Sequence, residues 1–291
     1  TIDDITFKKG DIEKIVAAVE ALTKREELKG RALRCIAVAS PGKIDKKSGK
    51  FILNPRFREI GNISLQAVFE EAFGCKVVIK NDINLALLGE KMYGGVLKNV
   101  QNALMLHVDV GMGAALLIDG KVYEGSHGFA GEIGYFKLNM LLSDENNYGN
   151  LNYGNYYDST SLFSVLSIVK REISLGTETV LKDWLEASGR SWDDVTIDEL
   201  LKAYRLKDAL VVRAIHSAAR VIGTFASSMS DFLDLDTVIL IGSVTGLGKE
   251  YLKYISKYAK NCPVVFSELG SDATIMGTIN AGILAVFDGL L

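Results

Sequence analysis

Apolar side chains follow two rhythms along the chain. Ile12, Ile15, Val16, Val19 and Leu22 recur at spacings of three and four, which puts them on one helical face, with Asp11 after Gly10 as the expected N-cap. Leu33 to Ala39 is an unbroken apolar run of strand length, stopped by Ser40-Pro41-Gly42, and Lys76 to Lys80 ends in the same way at Asn81-Asp82. Helical stretches, Ser64 to Phe73 and Ile83 to Met92, follow the two strands. This alternation predicts a mostly parallel sheet with covered faces.

Near residue 100 the pattern begins again. Ala103 to Val108 and Gly113 to Ile118 read as strands, and Asp119-Gly120 as a two-residue hairpin turn before Lys121-Val122-Tyr123. Asp144 to Thr160, rich in Asn and Tyr, is expected to be a loop, and Leu162 to Ile173 a helix. Leu210, Ala214, Ala218, Val221, Ile222, Phe225, Met229 and Phe232 mark a long helix whose small residues allow close packing. Thr237 to Ile241 is a buried strand ending in Gly242-Ser243, and the last helix runs from about Asp272 to Phe287. The expectation is two α/β domains, residues 1–98 and 99–274, with a final helix at about 275–291 packing back on the first.

Composition narrows the functions. The 291 residues are 48% hydrophobic and 24% charged, which excludes disorder as the main state. A net charge of -3 leaves no surplus of Lys and Arg for phosphates, so this chain alone is not expected to grip nucleic acid. The longest uncharged apolar run, Ala273 to Phe287, is shorter than the roughly 18 residues of a membrane span. Cys35, Cys75 and Cys262 are odd in number and far apart, so a reducing cytoplasm is expected rather than a disulfide framework or a metal knuckle. The chain opens at Thr1, without Met, and is expected to be a piece of a longer protein.

Three clusters could carry chemistry. Asn81-Asp82 lies where a parallel strand gives way to a helix, the edge at which open α/β sheets bind ligands; Asp82 is either a ligand-binding carboxylate or a helix cap. In Gly125 to Tyr135, several glycines let backbone approach a ligand and hold Glu132 in a fixed place, although a Gly-rich turn with a solvated Glu fits as well. Paired carboxylates suit a polyol, because each accepts two hydroxyl hydrogen bonds. Asp109-Val110-Gly111-Met112-Gly113 joins two strands and is either a phosphate-cradling turn or a plain tight one.

In order and spacing, Ser40-Pro41-Gly42, Lys80-Asn81-Asp82-Ile83-Asn84, Gly111-Met112-Gly113, Asp119-Gly120 and Gly128-Phe129-Ala130-Gly131-Glu132-Ile133-Gly134 resemble the ROK family of sugar kinases and sugar-responsive transcriptional repressors. The resemblance is densest from about residue 35 to 138 and looser from 207 to the end. It implies an α/β chain with the two-domain actin-like ATPase (ribonuclease H-like) fold, a ligand cleft between domains, and first strands that lie outside this chain. It also implies that Asp82 is the catalytic base if the protein is a kinase, and that Asn81, Asp82 and Glu132 bind sugar hydroxyls. Asn54 and the backbone of Pro41 and Gly42 are implied as further sugar contacts. Asp109, Gly111, Gly113, Gly242 and Ser243 fall at degenerate nucleotide-binding positions.

The departures from the family pattern decide between its branches. Its kinases carry an N-terminal Asp-x-Gly-x-Thr phosphate loop, and nothing upstream of Asp11 matches it. Their second loop reads Gly-Thr-Gly where this chain reads Asp109-Val110-Gly111, so a hydroxyl is gone and a carboxylate has arrived. At about 4 Å and an effective dielectric near 20, each phosphate charge facing Asp109 would cost roughly 4 kcal/mol unless Mg²⁺ intervened. The zinc of many members needs a His where Tyr135 stands and a downstream Cys-x-Cys-Gly run that 144–160 lacks, so zinc is expected to be absent, with tyrosines from Tyr148 to Tyr157 packing in its place. The resulting expectation is the sugar-binding effector domain of a ROK-family regulator, with no cofactor. It would form a homodimer, bind a monosaccharide or amino sugar, avoid membranes, and reach DNA only through an upstream domain. The alternative is an ATP-dependent sugar kinase of the glucokinase or N-acetylmannosamine kinase type, using Mg-ATP.

Overall fold

A computed structural model of the chain describes residues 9–45, 50–52, 63–136 and 160–288. In chain order the elements are α1 (Lys9–Thr23), β1 (Cys35–Ser40), β2 (Lys43–Ile44), β3 (Phe51–Ile52), α2 (Leu65–Phe73), β4 (Lys76–Asn81) and α3 (Asp82–Tyr93). Then come β5 (Ala103–Val108), β6 (Met112–Ile118), β7 (Lys121–Tyr123), α4 (Leu162–Ser174), α5 (Val180–Ser188), α6 (Ile197–Arg205), α7 (Ala209–Leu233), β8 (Thr237–Ile241), α8 (Lys249–Ser256), β9 (Val264–Phe266) and α9 (Asp272–Asp288). They form two compact units. The first comprises Thr1–Gly95, Val122–Ala130 and Asp272–Leu291, and the second Val96–Lys121 and Gly131–Ser271.

In the first unit β1 and β4 run parallel, from Cys35 opposite Lys76 to Ser40 opposite Asn81. Ser64 caps α2 by accepting from Ala67 N at 3.2 Å, and Gly74 ends that helix in the left-handed region. Ile12, Leu65, Phe69 and Val77 form a small core beneath α1 and α2. Asp11 sits inside the first turn of α1 and pairs with Lys14 at 2.9 Å, so it is not the N-cap its spacing suggests. Helices α3 and α9 meet through glycines: a Cβ on Gly277 would lie 1.8 Å from Leu85 O, and one on Gly89 would lie 2.1 Å from Ala273 O. Only hydrogen at these two positions allows the backbones so close.

In the second unit the sheet order is β7-β6-β5-β8-β9, with β5 and β8 parallel and β5 and β6 antiparallel. Asp119 and Gly120 both take positive φ (51° and 71°), the conformation a tight hairpin turn demands. Every residue of β8 is buried, as its unbroken apolar sequence requires of a strand covered on both faces. Helix α7 has 25 residues and is long and apolar enough to cross a membrane. Its apolar side is spent within the unit instead: Val211, Ala219, Ile222 and Ala226 are fully buried and join Leu106 and Leu240 in one core. Helices α5, α6 and α8 and strand β9 are additions to the elements expected from periodicity. Asn54 and the tyrosines from Tyr148 to Tyr157 lie outside the described residues.

Candidate functional site

The first unit assembles one group of the candidate residues. Because Ser40 stands opposite Asn81 across the parallel pair, the Pro41-Gly42 turn and the Asn81-Asp82 corner leave the sheet side by side. Gly42 takes φ +87°, and its carbonyl accepts from Asn81 Nδ2 at 3.4 Å. The cap of α3 is Asn81, not Asp82: Asn81 Oδ1 accepts from Ile83 N at 2.9 Å and from Asn84 N at 3.1 Å. Asp82 is the first helical residue, and its Oδ1 also accepts from Ile83 N at 2.9 Å. An acidic side chain is favourable beside the free amides of a helix start, and a carboxylate accepts hydroxyl hydrogens. Asn84 Oδ1 is buried without a hydrogen-bond partner among the described residues. Lys80 pairs with Glu124 at 2.8 Å, and Lys43 Nζ stands 5.4 Å from the centre of the Phe129 ring.

Glu132 belongs to the second unit and is placed by the residue before it. Gly131 has φ +87°, and a Cβ there would lie 2.0 Å from Ala114 O, so the chain is pressed flat against β6. Gly131 O accepts from Ala114 N at 3.0 Å and from Ile133 N at 2.7 Å. A short 3₁₀ turn, Ile133–Tyr135, follows, and the Phe136 ring packs edge-on against Phe225 of α7 with centroids 5.5 Å apart. Glu132 is half-buried in this clamped segment.

Asp109 and Ser243 meet where β5 and β8 end, next to Gly242; Gly111 belongs to the turn that follows Asp109, and Gly113 lies in β6 opposite His107. A Cβ on Gly242 would stand 2.7 Å from Val108 O, so these two strand ends are in close contact. The next residue, Ser243, donates from its backbone N at 3.0 Å and from its Oγ at 2.8 Å to the same Asp109 oxygen, Oδ2. Val110 N donates to Asp109 Oδ1 at 2.8 Å. The Asp109 backbone is tied as well, with N donating to Gly111 O at 3.0 Å and the carbonyl accepting from Leu162 N, at the start of α4, at 2.9 Å. Sequence alone supplied the charge of Asp109 but not its partner, because Ser243 lies 134 residues away. No group of His, Cys, Asp and Glu able to hold a metal ion occurs among the described residues.

Residues 7–161, more than half of the chain, match the model of the ROK family. The chain belongs to the ROK family. It is 26% identical over 270 residues to the xylose repressor of Caldicellulosiruptor bescii, covering 90% of this chain and 65% of that protein. It is 26% identical over 210 residues to a beta-glucoside kinase of Listeria monocytogenes, covering 72% and 64%. The ROK chain thus spans about two thirds of the length of these relatives. Among solved structures, a ROK family glucokinase from Streptomyces griseus in complex with glucose and AMPPNP superposes with a TM-score of 0.78 at 21% identity, covering 97% of this chain and 90% of that one. A ROK family transcriptional regulator, a homologue of the E. coli MLC protein, also gives 0.78 at 21%, covering 96% and 69%. The fold is the actin-like ATPase fold of these proteins, shared by kinases and regulators, and fold alone does not separate the two.

Proposed function

We propose that this ROK chain is the sugar-binding effector part of a transcriptional regulator that reaches DNA through a part of the protein outside these 291 residues. One observation carries the reading: the turn between β5 and β6 presents the Asp109 carboxylate, engaged by Ser243, where the family's kinases present a hydroxyl to phosphate. Asn81, Asp82 and Glu132 take the sugar hydroxyls, with Asn54 and the Pro41-Gly42 backbone as further contacts, and the sugar is a neutral hexose or an amino sugar. The protein works in the cytoplasm as a homodimer, without zinc or nucleotide. The placement of Asp82 at a helix start favours a second reading, an ATP-dependent sugar kinase with Asp82 as general base and Mg-ATP as co-substrate.

Titration calorimetry against a panel of hexoses and amino sugars tests the site. Glu132→Ala is expected to weaken the best sugar by about tenfold or more, the loss of roughly 1.4 kcal/mol or more of hydroxyl recognition. An unchanged affinity overturns the assignment. A coupled assay with Mg-ATP and the same sugars separates the two readings: background turnover is expected, and a rate near 1 s⁻¹ or above, within the usual kinase range, overturns the regulator.

A further inference from the structure

The start of the glycine-rich motif, as far as Ala130, belongs to the first unit, and there it closes into a loop. Ala130 N donates to Glu124 O at 3.2 Å, Gly125 takes φ +74°, and a Cβ on Gly125 would lie 3.3 Å from both the N and the Cβ of Ala130. Two side chains tie this loop to the corner made by Pro41-Gly42 and Asn81-Asp82. Lys80, the residue before Asn81, pairs with Glu124 at 2.8 Å, and Lys43, the residue after Gly42, sets its ammonium 5.4 Å from the centre of the Phe129 ring. The His127 ring lies against Phe129 as well, with centroids 6.3 Å apart and planes inclined by 29°. Phe129 is half-buried, yet it joins neither of the two cores described above. A phenyl ring ordinarily contributes by filling a core, whereas this one is held between a lysine and a histidine beside the proposed hydroxyl ligands.

We infer that Phe129 is the stacking platform of the sugar site, taking the apolar C–H face of a pyranose ring while Asn81 and Asp82 take its hydroxyls. The amide and the carboxylate account for the hydroxyls only, and a pyranose also carries a face of C–H bonds that no polar group satisfies. The face of an aromatic ring is the negative part of its quadrupole. It draws the weakly positive hydrogens of C–H bonds by the same electrostatics that draws the Lys43 ammonium. Covering the sugar face with the ring also removes apolar surface from water. Lys43 and His127 are positioning residues, which hold the ring plane beside the corner. The platform names the ligand class: a sugar in its cyclic form, rather than an open-chain polyol bearing the same hydroxyls. This inference deepens the sugar-binding reading and rests on it, and it holds equally for a regulator and for a kinase.

Titration calorimetry of the 291-residue chain measures the platform, with the best-binding sugar of the hexose and amino-sugar panel and with its alditol, the reduced open-chain form. The wild type is expected to prefer the cyclic sugar, and an alditol that binds as tightly overturns the inference. Phe129→Leu is expected to weaken the cyclic sugar by about fivefold, the equivalent of roughly 1 kcal/mol of stacking, and to narrow its preference over the alditol. Phe129→Tyr and Phe129→Trp keep an aromatic face and are expected to stay within about threefold of the wild type. The indole of Phe129→Trp is also expected to shift its emission when sugar binds, beyond any change from the native Trp184 and Trp192. Unchanged affinity in a Phe129→Leu variant that melts like the wild type overturns the platform. An equal loss in the Leu, Tyr and Trp variants overturns it too, because loop shape and not the ring would then be what matters. Should Phe129→Leu fail to fold, the Trp variant decides the case, and an emission that saturating sugar leaves unmoved is the overturning result. Glu132→Ala on the same titrations keeps the two proposals apart. If it loses the sugar while Phe129→Leu does not, the site reading stands and the platform falls; if the wild type binds no sugar of the panel, the reading fails and the platform with it.

Discussion

Gly277→Ala is a single methyl placed where two helices touch. An ideal Cβ at this position lies 1.8 Å from Leu85 O, 2.6 Å from Leu85 C and 2.9 Å from Gly89 N, all backbone atoms that cannot rotate aside. Restoring an ordinary separation of about 3.4 Å requires α9 and α3 to part by about 1.6 Å, at an overpacking cost near the upper end of the usual ~1–3 kcal/mol. Better helix propensity returns about 1 kcal/mol, so the expected net loss is about 2 kcal/mol and a fall in Tm of roughly 4–8 °C. Because Asn81 and Asp82, proposed above to hold the sugar, stand at the start of α3, the same displacement is expected to weaken any binding at that proposed site. Gly10→Ala is the matched control: nothing lies within 4 Å of its Cβ and it sits in α1, so it is expected to be neutral or slightly stabilising. Thermal melts followed by circular dichroism and by calorimetry give the comparison. If Gly277→Ala melts within about 1 °C of the Gly10→Ala variant, helix contact through glycine is not what holds this pair, and the reasoning fails.

Asp236 offers a pH test in the second unit. The amides of Asn102 and Gln101, each 2.9 Å from its Oδ2, hold its carboxyl below the usual carboxylate range. A folded pKa depressed in this way adds stability above the unfolded value near 3.9, and that stability disappears as pH falls through the lower folded value. Because the Asp236 carboxylate is exposed and screened by solvent, Asp236→Ala is expected to cost about 1 kcal/mol or less in urea melts at neutral pH, with a gap to the wild type that narrows only in strong acid; a gap independent of pH would refute the assignment. Metal analysis of protein purified without added metal is expected to find no stoichiometric zinc, and one equivalent would overturn the proposal that this chain has dispensed with the family's metal.

Local pattern determined most of the elements. Periodicity alone sets strands at Ala103–Val108 and Thr237–Ile241 and a long helix at Ala209–Leu233, because an unbroken apolar run or a stripe at helical spacing leaves few other ways to bury those side chains. The glycine-punctuated motif around Glu132 was legible for the same reason: at Gly131 no side chain fits against Ala114 O, a constraint that fixes residue type locally. Strand β9 is only three residues long and α8 only eight, too short for their periodicity to stand out from neighbouring loops. Asn81 and Asp82 are both good caps, and only the backbone geometry decides which of them begins the helix. The state of Asp109 was the least legible feature. Sequence gives its charge, but whether that charge faces solvent, a phosphate or a hydroxyl is decided by strand pairing across 134 residues, and that pairing delivers the amide and hydroxyl of Ser243 to a single carboxylate oxygen.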